Sequence, residues 1–220
     1  MRVLDGQHWM IKRALDAGAH GILVPLLETV EDAKNVVRYS KFPPSGNGGF
    51  GSPFSMEEFV EKSAHGSSAK ELSSLEYLRQ ADDNIVIAVQ IETKAALQNV
   101  RDIAAASGID VLFVGPFDLG DNTGHPIIAR KRDPELVEAI TSVNKAAENA
   151  GKKSGTYCNS GEEASQYVDQ GFNMVSAMTD MVAVPKAFGH AFEAAKRSCV
   201  HASVQGIKAR EEDIAGPYGK

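Results

Sequence analysis

A chain of 220 residues, 43% hydrophobic and 24% charged, is long enough to bury one substantial core. The formal net charge of -6, with no Lys/Arg cluster interleaved with aromatics, argues against a nucleic-acid partner. Mean hydropathy is -0.22, and no apolar run approaches the ~18–20 residues of a bilayer span, so no membrane role is expected.

The two cysteines, Cys158 and Cys199, have no metal-ligand spacing and are too few for a disulfide scaffold. The opening residues, MRVLDGQHWMIKRALDAG, lack the apolar stretch of a secretory signal. A cytoplasmic location is the expectation.

The chain alternates short apolar runs with amphipathic stretches. Arg2-Val3-Leu4 reads as the stub of a strand. Residues 21–25 (GILVP) follow a glycine turn and read as a buried strand, and 30–39 reads as a helix. The rhythm then breaks. Residues 43–55, PPSGNGGFGSPFS, form a Gly/Pro/Ser-rich loop expected over the mouth of the fold, followed by a polar helical segment over 56–80. Strand 85–92 comes next. A helix carrying Ala95, Leu97, Val100 and Ile103 follows, then strand 111–115 and a helix over 133–150. A weaker strand spans 153–158, a helix 160–170, the last strand 172–177, and a closing helix 184–202. The apolar stripe of that helix (Ala187, Phe188, Ala191, Phe192, Ala195) is expected to pack on the barrel or on a neighbour.

Continuously apolar strands alternating with helices predict a parallel sheet covered by helices. No GxGxxG follows a strand, so the dinucleotide turn is absent. Polar residues gather where strands end, in QIET (90–93) and GPFDLG (115–120), as in (β/α)8 barrels. Five clear strands and a stub fall short of eight, so an incomplete TIM-type barrel over 1–207 is expected, with a polar tail over 208–220.

Glu92 and Asp118 close two successive strands. Adjacent parallel strands would aim both carboxylates into one mouth, where paired oxygens suit a hard cation such as Mg2+ or Mn2+. Gln90, two residues before Glu92, shares its side of the strand and would orient the carboxylate or a bound water. The alternative is that Glu92 caps the following helix and Asp118 is a solvated loop residue.

In order, VPLLETVEDA (24–33), YSKFPPSGNGGFGS (39–52), VQIET (89–93) and VLFVGPFDL (111–119) resemble the HpcH/HpaI aldolase family. The resemblance implies a metal-dependent class II pyruvate aldolase on a (β/α)8 barrel, assembled as a homo-oligomer and acting on a small 2-oxo acid. The Glu of QIE and the Asp of GPxDL, the family's metal ligands, fall on Glu92 and Asp118. Mg2+, Mn2+ or Co2+ would serve. The family Arg before a segment like IKRALDAGAHGILVP falls on Arg2. That Arg holds the keto oxygen as it gains enolate charge, although the second residue of a chain is expected to be loosely held. Gln90, Ser52, Gly115 and Pro116 match residues that border the substrate.

Two departures stand out. The Arg of the family's PPxGxRG loop is Gly48 here. The family's base, a His in a D-x-E-H-G-like segment, has no counterpart. His8 reads as a helix-start residue and His20 as a turn residue, which leaves His125 as the one His near the expected mouth. Lys12 and Lys94 read as solvated helix residues, and a metal-assisted cleavage needs no Schiff-base lysine. The leading expectation is cleavage of a 4-hydroxy-2-oxo acid to pyruvate and an aldehyde. Oxaloacetate decarboxylation and a non-catalytic, metal-binding or oligomer-forming remnant are the alternatives. A CoA-dependent lyase is disfavoured by the lack of a basic diphosphate pocket.

Overall fold

A computed structural model describes residues 1–51, 56, 73–128 and 132–196. Ser52, the 208–220 tail and most of the expected 56–80 segment lie outside the described residues.

Five strands form one sheet: β1 (Gly21–Val24), β2 (Val86–Ile91), β3 (Val111–Val114), β4 (Lys153–Tyr157) and β5 (Met174–Ser176). All four pairings are parallel, and the spatial order is β1-β2-β3-β4-β5. Each strand therefore lies beside its successor in sequence, with no reversal. A doubly wound sheet must reverse its order at a switch point, so this sheet is a segment of a barrel. The N-terminal stub extends it by one bridge: Arg2 pairs parallel with Leu23, and Val3 N donates to Leu23 O at 3.0 Å.

Helices cover one face: α1 (His8–Asp16), α2 (Val30–Ser40), α3 (Ser74–Asn84), α4 (Lys94–Gln98), α5 (Val100–Ala105), α6 (Pro116–Thr123), α7 (Pro134–Asn149) and α8 (Gly161–Asp169). A further helix, α9, covers residues 180–196. Local chemistry sets the starts. Thr29 and Asp32 form a reciprocal capping box on α2, and Ser73 and Glu76 form another on α3. The expected helix after β2 is two helices, broken at Asn99, whose Nδ2 donates to Glu28 O at 2.9 Å.

The strands use their two faces differently. Ile22, Val24, Ile87, Val89, Ile91, Leu112 and Val114 join Ile11, Val36, Ile103, Leu136 and Ile140 of the helices in one apolar core. The alternate residues, including Ala88, Gln90, Phe113 and Gly155, face the concave inner side.

Two expectations are corrected. The described part of the Gly/Pro-rich loop, 43–51, is anchored away from the strand ends. Asn47 N donates to Arg38 O and Gly48 N to Lys41 O at the C-terminal end of α2, and Lys12 Nζ holds Gly49 O. Helix α2 runs back against β2, so its C-terminus lies at the end of the sheet opposite the mouth. The α9 stripe does not pack on the barrel: Phe188 is 69% and Phe192 67% exposed.

Candidate active site

Glu92 is the first residue after β2, at the C-terminal end of the sheet. It does not cap the next helix. Thr93 does that, its hydroxyl accepting from Ala96 N at 3.0 Å. Glu92 is instead 1% exposed, and each of its oxygens has a donor. Leu26 N–H donates to Oε1 at 2.8 Å, and Gln90 Nε2 donates to Oε2 at 2.5 Å. Gln90 Oε1 in turn accepts from Arg2 Nε at 3.2 Å. Arg2, expected to be loosely held, is fixed twice, by this bond and by its bridge to Leu23. The row Arg2–Gln90–Glu92 spans the stub, β1 and β2 across the mouth.

The donor from Leu26 has a backbone cost. Leu26 adopts φ 56, a left-handed conformation that a leucine rarely occupies. Strain of this kind persists only where the surroundings impose it, and here it aims one N–H at a buried carboxylate.

Strand β3 ends beside β2, with Val114 opposite Ile91, and Gly115 follows. A Cβ at Gly115 would lie 2.6 Å from Gln90 Nε2 and 2.7 Å from Glu92 Oε2, so only glycine leaves room for the pair. Buried Pro116 then starts α6 at a position that needs no N–H donor. Asp118 stands in the first turn of α6, exposed, and its negative charge acts on Glu92. Desolvation is the main reason that Glu92's pKa is raised. The Leu26 N–H opposes it, Asp118 reinforces it, and Arg2 opposes it more weakly.

The structure thus brings together Arg2, Gln90, Glu92, Gly115, Pro116 and Asp118. It does not bring His125 to them. His125 Nδ1 lies 3.5 Å from Asp133 at the start of α7. His125, Asp133 and Glu135 place ligand-type atoms within 4.8 Å of one another, but Asp133 Oδ1 already accepts Glu135 N–H as the α7 cap. The buried Cys158 thiol is pushed up to about 11 by desolvation, which leaves it unreactive at neutral pH. Leu26 was missed in the sequence because it acts through its backbone, which has no residue signature. Phe117 and Tyr157, whose rings meet edge-on with centroids 6.1 Å apart, also line this end of the sheet. Strand alternation from Phe113 and Gly155 would have pointed to Tyr157.

The donor set fits a divalent cation. Two carboxylates, one fully buried, share a site in which Arg2 is the positive group acting on Glu92. Such a pair holds two negative charges only at a cost, and a hard dication with oxygen preference would relieve it.

The family model described as HpcH/HpaI aldolase/citrate lyase matches residues 1–187. The chain belongs to this family. A hydroxypyruvate/pyruvate aldolase of Cupriavidus necator is 34% identical over 182 residues, 83% of this chain and 63% of the relative. A 5-keto-4-deoxy-D-glucarate aldolase of Klebsiella pneumoniae is 34% identical over 181 residues, 82% of this chain and 65% of the relative. The chain therefore spans slightly less than two thirds of these relatives. Among solved structures, an HpcH/HpaI family protein of Burkholderia cenocepacia superposes with a TM-score of 0.75 at 29% identity, over 89% of this chain and 72% of that one. The HpcH/HpaI fold is thus an α/β barrel type of which this sheet is an open part.

Proposed function

We propose that this HpcH/HpaI chain is a carbon–carbon lyase that cleaves a 4-hydroxy-2-oxo acid to pyruvate and an aldehyde, with Glu92 and Asp118 as ligands of Mg2+, Mn2+ or Co2+. The observation that carries the reading is the buried Glu92, held by Leu26 and Gln90 beside Asp118 at two neighbouring strand ends. When bound there, the dication supplies Lewis acidity at the substrate's 2-oxo and carboxylate oxygens.

The chain's own residues divide the remaining work. Gln90 and Leu26 occupy one lone pair on each Glu92 oxygen, which fixes the carboxylate plane and leaves its outer lone pairs toward Asp118. Arg2, held by Gln90, presents its remaining N–H groups to the mouth, where they would stabilise negative charge building on the keto oxygen. Gly115 and Pro116 shape the floor against which the 2-oxo acid lies. The α6 N-terminus adds a partial positive charge facing the substrate carboxylate. Ser52, outside the described residues, is proposed to border that carboxylate on the basis of sequence resemblance alone.

A second reading, oxaloacetate decarboxylation, draws on the same carboxylate pair and Arg2. Decarboxylation of oxaloacetate passes through the same pyruvate enolate and needs no base for a hydroxyl proton. It would therefore proceed even if the hydroxyl proton had no carrier. A homo-oligomer in the cytoplasm is the proposed setting, supported by the exposed Phe188 and Phe192 of α9.

The test is pyruvate release from a 4-hydroxy-2-oxo acid and from oxaloacetate, with Mg2+ or Mn2+ and with EDTA. Release that stops with EDTA and in Glu92→Gln and Asp118→Asn supports the assignment. Release unchanged by all three treatments would overturn it.

A further inference from the structure

The loops that leave the stub and β1 enclose a cleft of about 650 Å³. One wall is residues 5–9, which begin three positions after Arg2. The other is residues 24–28, at the end of β1. Leu26 joins the cleft to the carboxylate site: it lines the cleft, and its N–H donates to Glu92 Oε1 at 2.8 Å. A substrate held at Arg2 and Glu92 therefore has this cleft beside it, with one residue between.

The lining has a definite chemistry. Val24, Leu27 and Val36 are buried and make an apolar floor. Trp9 and Tyr39 add aromatic surface. His8 stacks on Tyr39, with ring centroids 4.9 Å and planes 25° apart. The stack fixes the imidazole, yet its Nε2 is buried with no hydrogen-bond partner. A buried orphan nitrogen forfeits its bond to water, and a ligand group that bonds to it would restore that loss. The Asn35 amide and the Glu28 carboxylate also line the cleft, and neither has a protein partner among the described residues. An imidazole nitrogen donates or accepts according to its tautomer, the amide does both, and the carboxylate accepts. A hydroxyl, which donates and accepts, matches all three.

Charge narrows the ligand further. Asp5, Glu28 and Asp32 line the cleft, and no Lys or Arg does. Asp5 is bonded to Gly6 N and Gln7 Nε2, and Asp32 to Thr29 N. An anionic group entering here would meet three carboxylates and no counterion. A bare alkyl chain would leave His8, Asn35 and Glu28 without partners.

We infer that this cleft holds the part of the substrate beyond C4 and that it takes an uncharged, hydroxyl-bearing chain. This rests on the aldolase reading above. The 2-oxo acid end lies at Arg2, Glu92 and Asp118. The tail crosses Leu26, and its hydroxyls bond to His8 Nε2, the Asn35 amide and the Glu28 carboxylate. The aldehyde released is a small polyhydroxy aldehyde.

The test compares pyruvate release from three 4-hydroxy-2-oxo acids of equal length, whose tails carry hydroxyls, only hydrogen, or a terminal carboxylate. The wild type should prefer the hydroxylated tail, and the carboxylated one should be the poorest. His8→Phe keeps a ring to stack on Tyr39 and removes Nε2, and Asn35→Leu removes the amide. Each should lower kcat/KM for the hydroxylated tail relative to the alkyl one about 10-fold, mainly through KM, the scale of one hydrogen bond. Glu28→Lys should raise kcat/KM for the carboxylated tail relative to the alkyl one about fivefold, the scale of an exposed ion pair. Taking each value relative to the alkyl substrate cancels any general loss of folded enzyme. Variants that move all three substrates together, or move none, would overturn the inference and leave the aldolase reading standing. So would a wild type that favours the alkyl or the carboxylated tail. If the wild type cleaves none of the three, the aldolase reading fails and this subsite with it.

Discussion

The two faces of the sheet follow opposite rules. The helix-facing side is filled by aliphatic side chains from β1 to β3 and from α1, α2, α5 and α7, most of them fully buried. The concave side carries Arg2, Gln90, Phe113, Gly155 and Tyr157, and part of it is open: Val86 is 40% and Met174 44% exposed. The first face is apolar along β1 to β3 and contributes stability, with buried Ser154 and Thr156 its polar residues on β4. The second holds a buried carboxylate in place through individual hydrogen bonds, and chemistry can be built on it. Residues one apart on the same strand therefore answer to different demands.

Cutting into the apolar face should produce the largest effect. Leu112→Ala removes a fully buried side chain and should cost about 3 kcal/mol of stability, read as a shift of the urea midpoint. The folded fraction should keep its pyruvate release per molecule. A variant of full stability would mean that the two faces are not separable in this way.

Gly115→Ala on the other face should do the reverse. Its Cβ meets Gln90 and Glu92 head-on, so pyruvate release should fall at least about 100-fold, a scale of roughly 2.7 kcal/mol at the transition state. Normal turnover in this variant would mean that the Gln90–Glu92 arrangement is not needed.

A smaller effect concerns pH. Glu92 is raised from 4.5, so the folded chain holds this proton more tightly than the unfolded chain does. Its contribution favours folding at low pH and is lost as pH rises from the unfolded value through the folded one. Metal-free Glu92→Gln should therefore gain on the wild type as pH increases from about 4.5 to neutral, and the gap should close below that window. Denaturation in EDTA across this range is the measurement, and a variant that loses ground toward neutral pH would contradict it.

The smallest change is expected at α9. Phe188→Ser with Phe192→Ser removes exposed rings, so the stability of the isolated chain should move by no more than about 0.5 kcal/mol. Sedimentation should show weaker self-association. Unaltered association would remove these rings from any interface between copies.

Much of this was legible in the sequence because the signals were periodic. Continuous apolar runs marked β1, β2 and β3, with β4 (KSGTY) the weaker strand, and strand alternation put Gln90 on the side of Glu92, where its amide is found. What stayed hidden had a common cause: it depended on backbone geometry or on tertiary partners. Helix α6, PFDLGDNT, reads as a loop because Pro, Asp, Asn and Gly are weak helix formers, yet Pro116 fits its first position and Gly124 ends it at φ 84. The Leu26 donor needs a φ that no leucine advertises. The Gly/Pro-rich loop suggested a lid, but its glycines are needed for close packing: a Cβ on Gly46 would meet Arg38 O at 2.5 Å.

The unbroken strand order has a dynamic consequence. Each strand leans only on its immediate neighbours, so the sheet can open one unit at a time from either edge. Amides of β1 and β5 should exchange with solvent first, and those of β2 and β3 last, each being shielded by a strand on both sides. Glu92 and Asp118 follow those two inner strands. Fraying at the rims would thus leave the carboxylate pair in register until most of the sheet had come apart.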